Sequence, residues 1–181
     1  MKWFQRILTA AALAGILAGC SDARFLDKPP AEERSFVYGY IDMDDAPTDA
    51  DWVHIRQFAP KVKNDIWSMR THDGVFYIEK FGPGSYGVIK FGGGGGFFTN
   101  PHAYGIPRQD TSMRLVIKKP GIYYLGTFKY KHIDRGFFQQ DSFDIEKADT
   151  PTEKEVLKRI IEFAKGSGWE QQLKNHLAGL K

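Results

Sequence analysis

The chain has 181 residues, 42% of them hydrophobic and 14% aromatic, with 25 Lys and Arg against 22 Asp and Glu. Its single cysteine, Cys20, excludes an intramolecular disulfide, so packing alone must stabilise the fold. Two of the basic residues, Lys2 and Arg6, fall in an N-terminal segment of export type; without them the charge is nearly balanced, which removes the electrostatic case for a nucleic-acid partner.

Residues 1–19 run from Lys2 and Arg6 through the apolar stretch Ile7 to Ala18 and end in small residues, the layout of a secretory signal. The apolar stretch is about 12 residues long, short of the roughly 20 that a membrane-spanning helix needs, so export and removal are expected. The sequence Leu17-Ala18-Gly19-Cys20 resembles the lipobox of bacterial lipoproteins. That resemblance implies cleavage between Gly19 and Cys20, a diacylglycerol on the Cys20 thiol, and acylation of the new amino group. Two or three acyl chains hold a protein firmly to membrane lipid. Serine, not aspartate, follows the cysteine at position 21. In the enterobacterial sorting rule this implies the outer membrane, periplasmic face, over the inner membrane. Residues 20–34 then read as the lipidated cysteine and a polar tether containing Pro29-Pro30.

From Ser35 the pattern becomes β-type. Phe36, Tyr38 and Tyr40 alternate with Val37, Gly39 and Ile41, and Asp51 to Phe58 alternates similarly. Further runs are Ile66 to Arg70, Val75 to Lys80, Ser85 to Phe91, Arg114 to Lys118, Ile122 to Tyr130 and Phe137 to Glu146. Turn residues divide them: Asp73-Gly74, Pro83-Gly84 and Pro120-Gly121. Residues 35–147 are therefore expected to form an antiparallel β-sandwich of about seven strands. Within this stretch His72-Asp73-Gly74-Val75-Phe76-Tyr77-Ile78, followed by Phe81-Gly82-Pro83-Gly84-Ser85-Tyr86-Gly87-Val88, resembles the transthyretin-like or carboxypeptidase-regulatory-like β-sandwich. The resemblance implies that fold and supplies no catalytic residue. The chain also resembles small uncharacterised envelope lipoproteins.

The period changes in residues 150–180. Thr150-Pro151-Thr152-Glu153 reads as a capping box with proline at the first helical position, and Val156, Leu157, Ile160, Ile161 and Ala164 form one apolar stripe. Gly166-Ser167-Gly168 stops this helix, Ser167 and Glu170 suggest a second box, and Trp169, Leu173, Leu177 and Leu180 form a second stripe. A C-terminal α-helical hairpin packed on one end or face of the sheet is expected.

No pattern of residues specifies catalysis. The glycine tract Gly92 to Gly96 precedes Phe97-Phe98-Thr99 and not the Lys-Ser/Thr of a phosphate loop, so it reads as a mobile loop. The acidic stretch Asp42, Asp44, Asp45, Asp49, Asp51 reads as a solvated connection, with Ca²⁺ binding as the alternative. Five scattered histidines show no zinc spacing, and there is no G-x-S-x-G elbow. Tyr123, Tyr124, Phe128 and Tyr130 read as a central strand packed on both faces. Phe97 and Phe98, with Tyr123 and Tyr124, are the candidate ligand or partner surface. The expected function is a non-enzymatic envelope lipoprotein that binds or supports an envelope protein or glycan and needs no metal or cofactor. The alternatives are a carbohydrate- or peptidoglycan-fragment-binding lipoprotein and an envelope hydrolase with an unrecognised site.

Overall fold

A computed structural model of the chain describes residues 34–94, 102–107, 111, 113–134 and 142–180. The signal segment, Gly19, Cys20, most of the tether and the Phe97-Phe98 pair lie outside these residues. Among the described residues nine strands precede two helices: β1 (Ser35–Asp42), β2 (Trp52–Ala59), β3 (Ile66–His72), β4 (Val75–Phe81), β5 (Gly84–Gly93), β6 (His102–Gly105), β7 (Arg114–Ile117), β8 (Ile122–Ile133), β9 (Ser142–Ala148), α1 (Glu153–Phe163) and α2 (Glu170–Gly179). The domain is mainly β with two C-terminal helices, as expected. No helix among the described residues is long and apolar enough to cross a membrane.

The expected seven-stranded antiparallel sandwich is corrected. The strands form one mixed sheet in the order β6-β5-β2-β3-β4-β1-β8-β9, with β7 paired to β5 beside β6. The parallel partners are β1 and β8, joined along Phe36–Ile122 to Asp42–Lys129. Alternation in a sequence reveals which face each residue takes but not which strand lies alongside.

The sheet curls until its two ends meet through side chains. On the concave side Val37, Ile55, Phe76, Val88, Phe91, Phe128 and Ile145 share one buried core, although their strands span the whole order. Tyr104 on β6 lies 5.1 Å from Phe143 on β9 and 5.0 Å from Tyr130 on β8, measured between ring centroids. These rings join the ends of a half-barrel where, among the described residues, no backbone ladder does, which covers apolar surface that an open sheet would expose.

The helical hairpin covers the convex side over β1, β4 and β8. Phe36, Tyr38 and Val75 pack against Val156, Leu157, Ile160, Ala164, Trp169 and Leu173, all buried. β1 is thus buried on both faces, which the alternation of Phe36, Tyr38 and Tyr40 with Val37 and Ile41 requires. At its centre a Cβ on Gly39 would come within 2.5 Å of the Phe76 ring, so only glycine fits there unless that ring shifts. Opposite, the β1–β8 register slips by one residue between Tyr38 and Tyr40, and Gly126 absorbs the bulge at φ 136°.

Both helix starts differ from expectation. Two T-x-x-E registers overlap at residues 150–155, and the second one is used. The Glu155 amide donates to the Thr152 hydroxyl (3.4 Å) and the Thr152 amide donates to the Glu155 carboxylate (2.7 Å). Pro151 stays outside the helix, where its carbonyl accepts from the Thr127 hydroxyl (2.5 Å). Glu153 is left free to turn toward the sheet. At α2, Ser167 accepts from the Trp169 amide (3.2 Å) and Glu170 reaches back to the Gly166 amide (2.7 Å), so the motif braces the turn without closing a reciprocal box.

Candidate binding cleft between strands β3 and β4

The turn joining β3 to β4 places Asp73 at φ 47° and Gly74 at φ 76°, the two positive φ angles of a tight hairpin turn. A long paired ladder would ordinarily follow. Here β3 and β4 pair only at His72–Val75 and Thr71–Phe76. Beyond that, β3 runs along β2 from Arg70–Trp52 to Ile66–Arg56, while β4 runs along β1. The hairpin therefore splits.

The direction of the main chain on each side follows from its backbone hydrogen bonds. The Thr71 amide donates to the Asp51 carbonyl, so Thr71 faces β2, and its alternate neighbours Arg70 and Ser68 face the split. The Gly74 carbonyl accepts from the Ile41 amide, so Gly74 faces β1, and Tyr77 and Glu79 face the split from the other side. No strand fills the gap between these two edges among the described residues.

A cavity of about 280 Å³ occupies the gap. Its inner surface is apolar: Trp67, Met69 and Ile78, with Trp67 packed edge-on to Phe81 at 5.3 Å. Tyr77 and Phe163 form the wall nearest α1, and Phe163 meets His72 edge-on at 4.9 Å. Arg70 and Lys80 are exposed on the rims. Burial, and then the neighbouring Glu79 carboxylate, push the Tyr77 hydroxyl up to about 12, so it remains a neutral donor at any physiological pH.

The cleft continues onto the convex face of β2. Trp52 and His54 lie 4.6 Å apart between ring centroids, with the Lys90 ammonium 5.9 Å from the Trp52 ring. Ser68, Arg70 and Thr71 line both this shallow ledge and the cavity. Gly92 lies under the ledge, where a Cβ would come within 2.7 Å of the Trp52 ring and 2.1 Å of the His102 carbonyl. This corrects the loop reading for the start of the glycine tract: Gly92 and Gly93 are buried in β5, because bulkier residues could not pass that close to β6 and Asp49. Gly94 then donates its amide to the Asp51 carboxylate at 2.9 Å.

The residues singled out from sequence lie elsewhere. Tyr123 and Tyr124 are both half-buried and take opposite faces of β8. Tyr123 packs on the concave core and donates to the Lys119 carbonyl (2.5 Å); Tyr124 packs under the helices and shares a hydrogen bond with the Thr127 hydroxyl. They do not form a common platform. Beside Tyr124, the buried Tyr38 hydroxyl donates to the Glu153 carboxylate at 2.8 Å, with His176 at 3.5 Å from the same oxygen. In the acidic stretch, Asp42 and Asp45 both lie near Lys129, at 3.9 and 3.7 Å. No group of three His, Asp or Glu side chains able to hold a metal occurs among the described residues.

Sequence reading passed over Trp52, Trp67, Arg70 and Lys80. A signal for Trp52 existed: in D-W-V-H-I-R-Q-F the outward set opposite Val53 and Ile55 is Trp52, His54, Arg56 and Phe58, an aromatic and cationic face. Nothing comparable marked the split, which depends on the partner each strand chooses.

No protein family matches the sequence, and no curated protein matches it. Among solved structures, a DUF3823 family protein from Parabacteroides merdae is similar over 65% of this chain and 60% of its own length, at 15% identity and a TM-score of 0.31. The chain thus spans less than two thirds of that protein, and a likeness of this size assigns neither fold nor activity.

Proposed function

We propose that the chain is a lipid-anchored envelope lipoprotein, held by acylated Cys20 on the periplasmic face of the outer membrane, whose β-domain is a non-enzymatic binding module. The observation that carries the binding role is the split between β3 and β4. It pairs an apolar interior (Trp67, Met69, Ile78) with main-chain edges and with the cationic rims Arg70 and Lys80. Binding sites characteristically combine apolar walls with a few polar groups in this way. The lipobox Leu17-Ala18-Gly19-Cys20 and the tether support the anchor.

Two measurements in intact cells test the proposal. Cys20→Ala is expected to abolish incorporation of labelled palmitate and to leave the chain unprocessed at the Gly19–Cys20 bond. A photo-crosslinking residue at Ser68 or Lys80 is expected to capture a discrete envelope component that the same probe at Val116, exposed on β7, does not. Palmitate labelling that persists in Cys20→Ala, or identical capture at all three positions, would count against it.

A second reading, carbohydrate or peptidoglycan-fragment binding, is favoured by the Trp52–His54–Lys90 ledge, since a half-buried indole beside polar groups can stack its open face on a sugar ring. Peptidoglycan fragments that bind the wild type and lose binding in Trp52→Ala would select this reading. No binding at millimolar fragment would remove it.

A further inference from the structure

We propose that the split between β3 and β4 takes an extended acidic segment of a partner polypeptide as an inserted strand. This deepens the reading of the cleft as a binding surface and rests on it.

The occupant is identified by what the edges lack. Arg70 and Ser68 from one side, at the two-residue spacing of a β-ladder, and Tyr77 from the other present main-chain N–H and C=O groups toward the gap, with no strand between them among the described residues. Unpaired strand edges are templates for another strand, and an extended peptide satisfies them with its own amides while alternate side chains provide specificity. A sugar offers no such regular alternation of donor and acceptor. The two faces of an inserted strand would meet different surroundings. Inward side chains would contact Trp67, Met69 and Ile78; outward ones would lie between Arg70 and Lys80.

Charge selects the chemistry of the outward side chains. Both rim cations are exposed, and neither has an ion pair or hydrogen bond among the described residues. Three other cations of the domain are paired, Lys129 with Asp42 and Asp45, Lys131 with Glu146, and Lys174 with Glu170. The one carboxylate lining the cavity among the described residues, Glu79, is half-buried. A segment alternating apolar and acidic residues complements the apolar interior and the two rim cations.

The test uses the purified full-length lipoprotein in detergent micelles and three eight-residue probes: alternating Val and Glu, alternating Val and Lys, and the Val–Glu peptide with alternate amides N-methylated. The Val–Glu peptide is expected to bind at least about tenfold more tightly than either of the others, because like charge and lost ladder bonds each weaken insertion. Amide exchange should slow at Ser68, Arg70 and Tyr77. Equal binding of the N-methylated peptide, protection confined to other strands, or no binding at millimolar peptide would each overturn the proposal. So would protection of the same amides through dimerisation without peptide, which would assign the cleft to a second copy. Arg70→Glu with Lys80→Glu is expected to reverse the preference toward the Val–Lys peptide; should that variant fail to fold, the N-methyl comparison on the wild type still decides. Site-selective crosslinking at Ser68 that persists alongside a negative peptide result would leave the binding role standing and remove only the inserted strand.

Discussion

The two convex halves of the sheet are built from the same kind of alternating strand, yet one is closed and the other open. Over β1 and β4 the outward residues Phe36, Tyr38 and Val75 are covered by α1 and α2 and shut off from water. Over β2 and β3 the outward residues are Trp52, His54, Ser68 and Arg70, and no helix among the described residues covers them. Apolar area alone does not separate them, since Trp52 is as large as anything beneath the helices. Phe36, Tyr38 and Val75 form an unbroken patch that two short amphipathic helices can cover, whereas charged and imidazole groups interrupt the other half and would lose their hydration if covered. One half was therefore free to become core, and the other to become a site.

Removing the indole that joins the helix turn to the sheet should produce the largest effect. Trp169 is 2% exposed and packs 5.1 Å from Phe36. Trp169→Ala should cost about 3–5 kcal/mol, the range for truncating a buried aromatic, measured as a fall in the urea midpoint at unchanged slope. A loss below about 1 kcal/mol would mean that the hairpin is not part of the cooperative unit, and the closed half would then differ little from the open one.

Next in size is the polar link within the closed half. Tyr38 is fully buried, and its hydroxyl donates to Glu153, which is itself part-exposed near His176. Tyr38→Phe should cost about 1–2 kcal/mol at pH 7, since Glu153 can recover water after the loss. Burial, and then the bond to Glu153, hold the Tyr38 hydroxyl far above its ordinary range. Below pH about 10 the group is neutral in both folded and unfolded chains and has no effect on the pH dependence. Above it the unfolded chain ionises while the folded one keeps its proton, so stability falls as pH rises, by up to about 1.4 kcal/mol per unit. Tyr77 and Tyr104, pushed up to about 12, act in the same direction. Urea midpoints from pH 9 to 11.5 should fall less steeply in Tyr38→Phe than in the wild type; parallel curves would show that this hydroxyl titrates as in an open chain.

Much of the closed half was legible in the sequence. The stripe Val156, Leu157, Ile160, Ile161, Ala164 is buried residue for residue, and the alternation in β1 told which side chains face which layer. The helix start was not, because Thr150 and Thr152 are each followed three residues later by glutamate and local sequence does not rank them. Strand order was not legible either: the parallel β1–β8 ladder joins segments about 85 residues apart, a distance over which hydrophobic period is silent. β6 escaped notice because four residues, with only Tyr104 fully inward, leave no period to detect. The candidate site was the least legible part. A tight turn at Asp73-Gly74 announces a closed hairpin, and only the tertiary competition of β2 for β3 opens it.

The smallest expected change bears most directly on the contrast between the halves. Trp52 lies over Gly92 and near His54 and Lys90, in a layer with solvent above it. Trp52→Ala leaves no enclosed void, because water fills the vacated space, so the cavity penalty that dominates Trp169→Ala is absent. What is lost is partial burial against the glycine strand and the attraction of the Lys90 ammonium, worth about 0.5–1 kcal/mol at an exposed position. The urea midpoint should therefore shift by about 1 kcal/mol or less, while the Val–Glu peptide still binds, since its ladder contacts lie on β3 and β4. A loss rivalling that of Trp169→Ala would show that the ledge is structural core with an exposed edge, and the division into a closed and an open half would fail at the residue where it is most exposed to test.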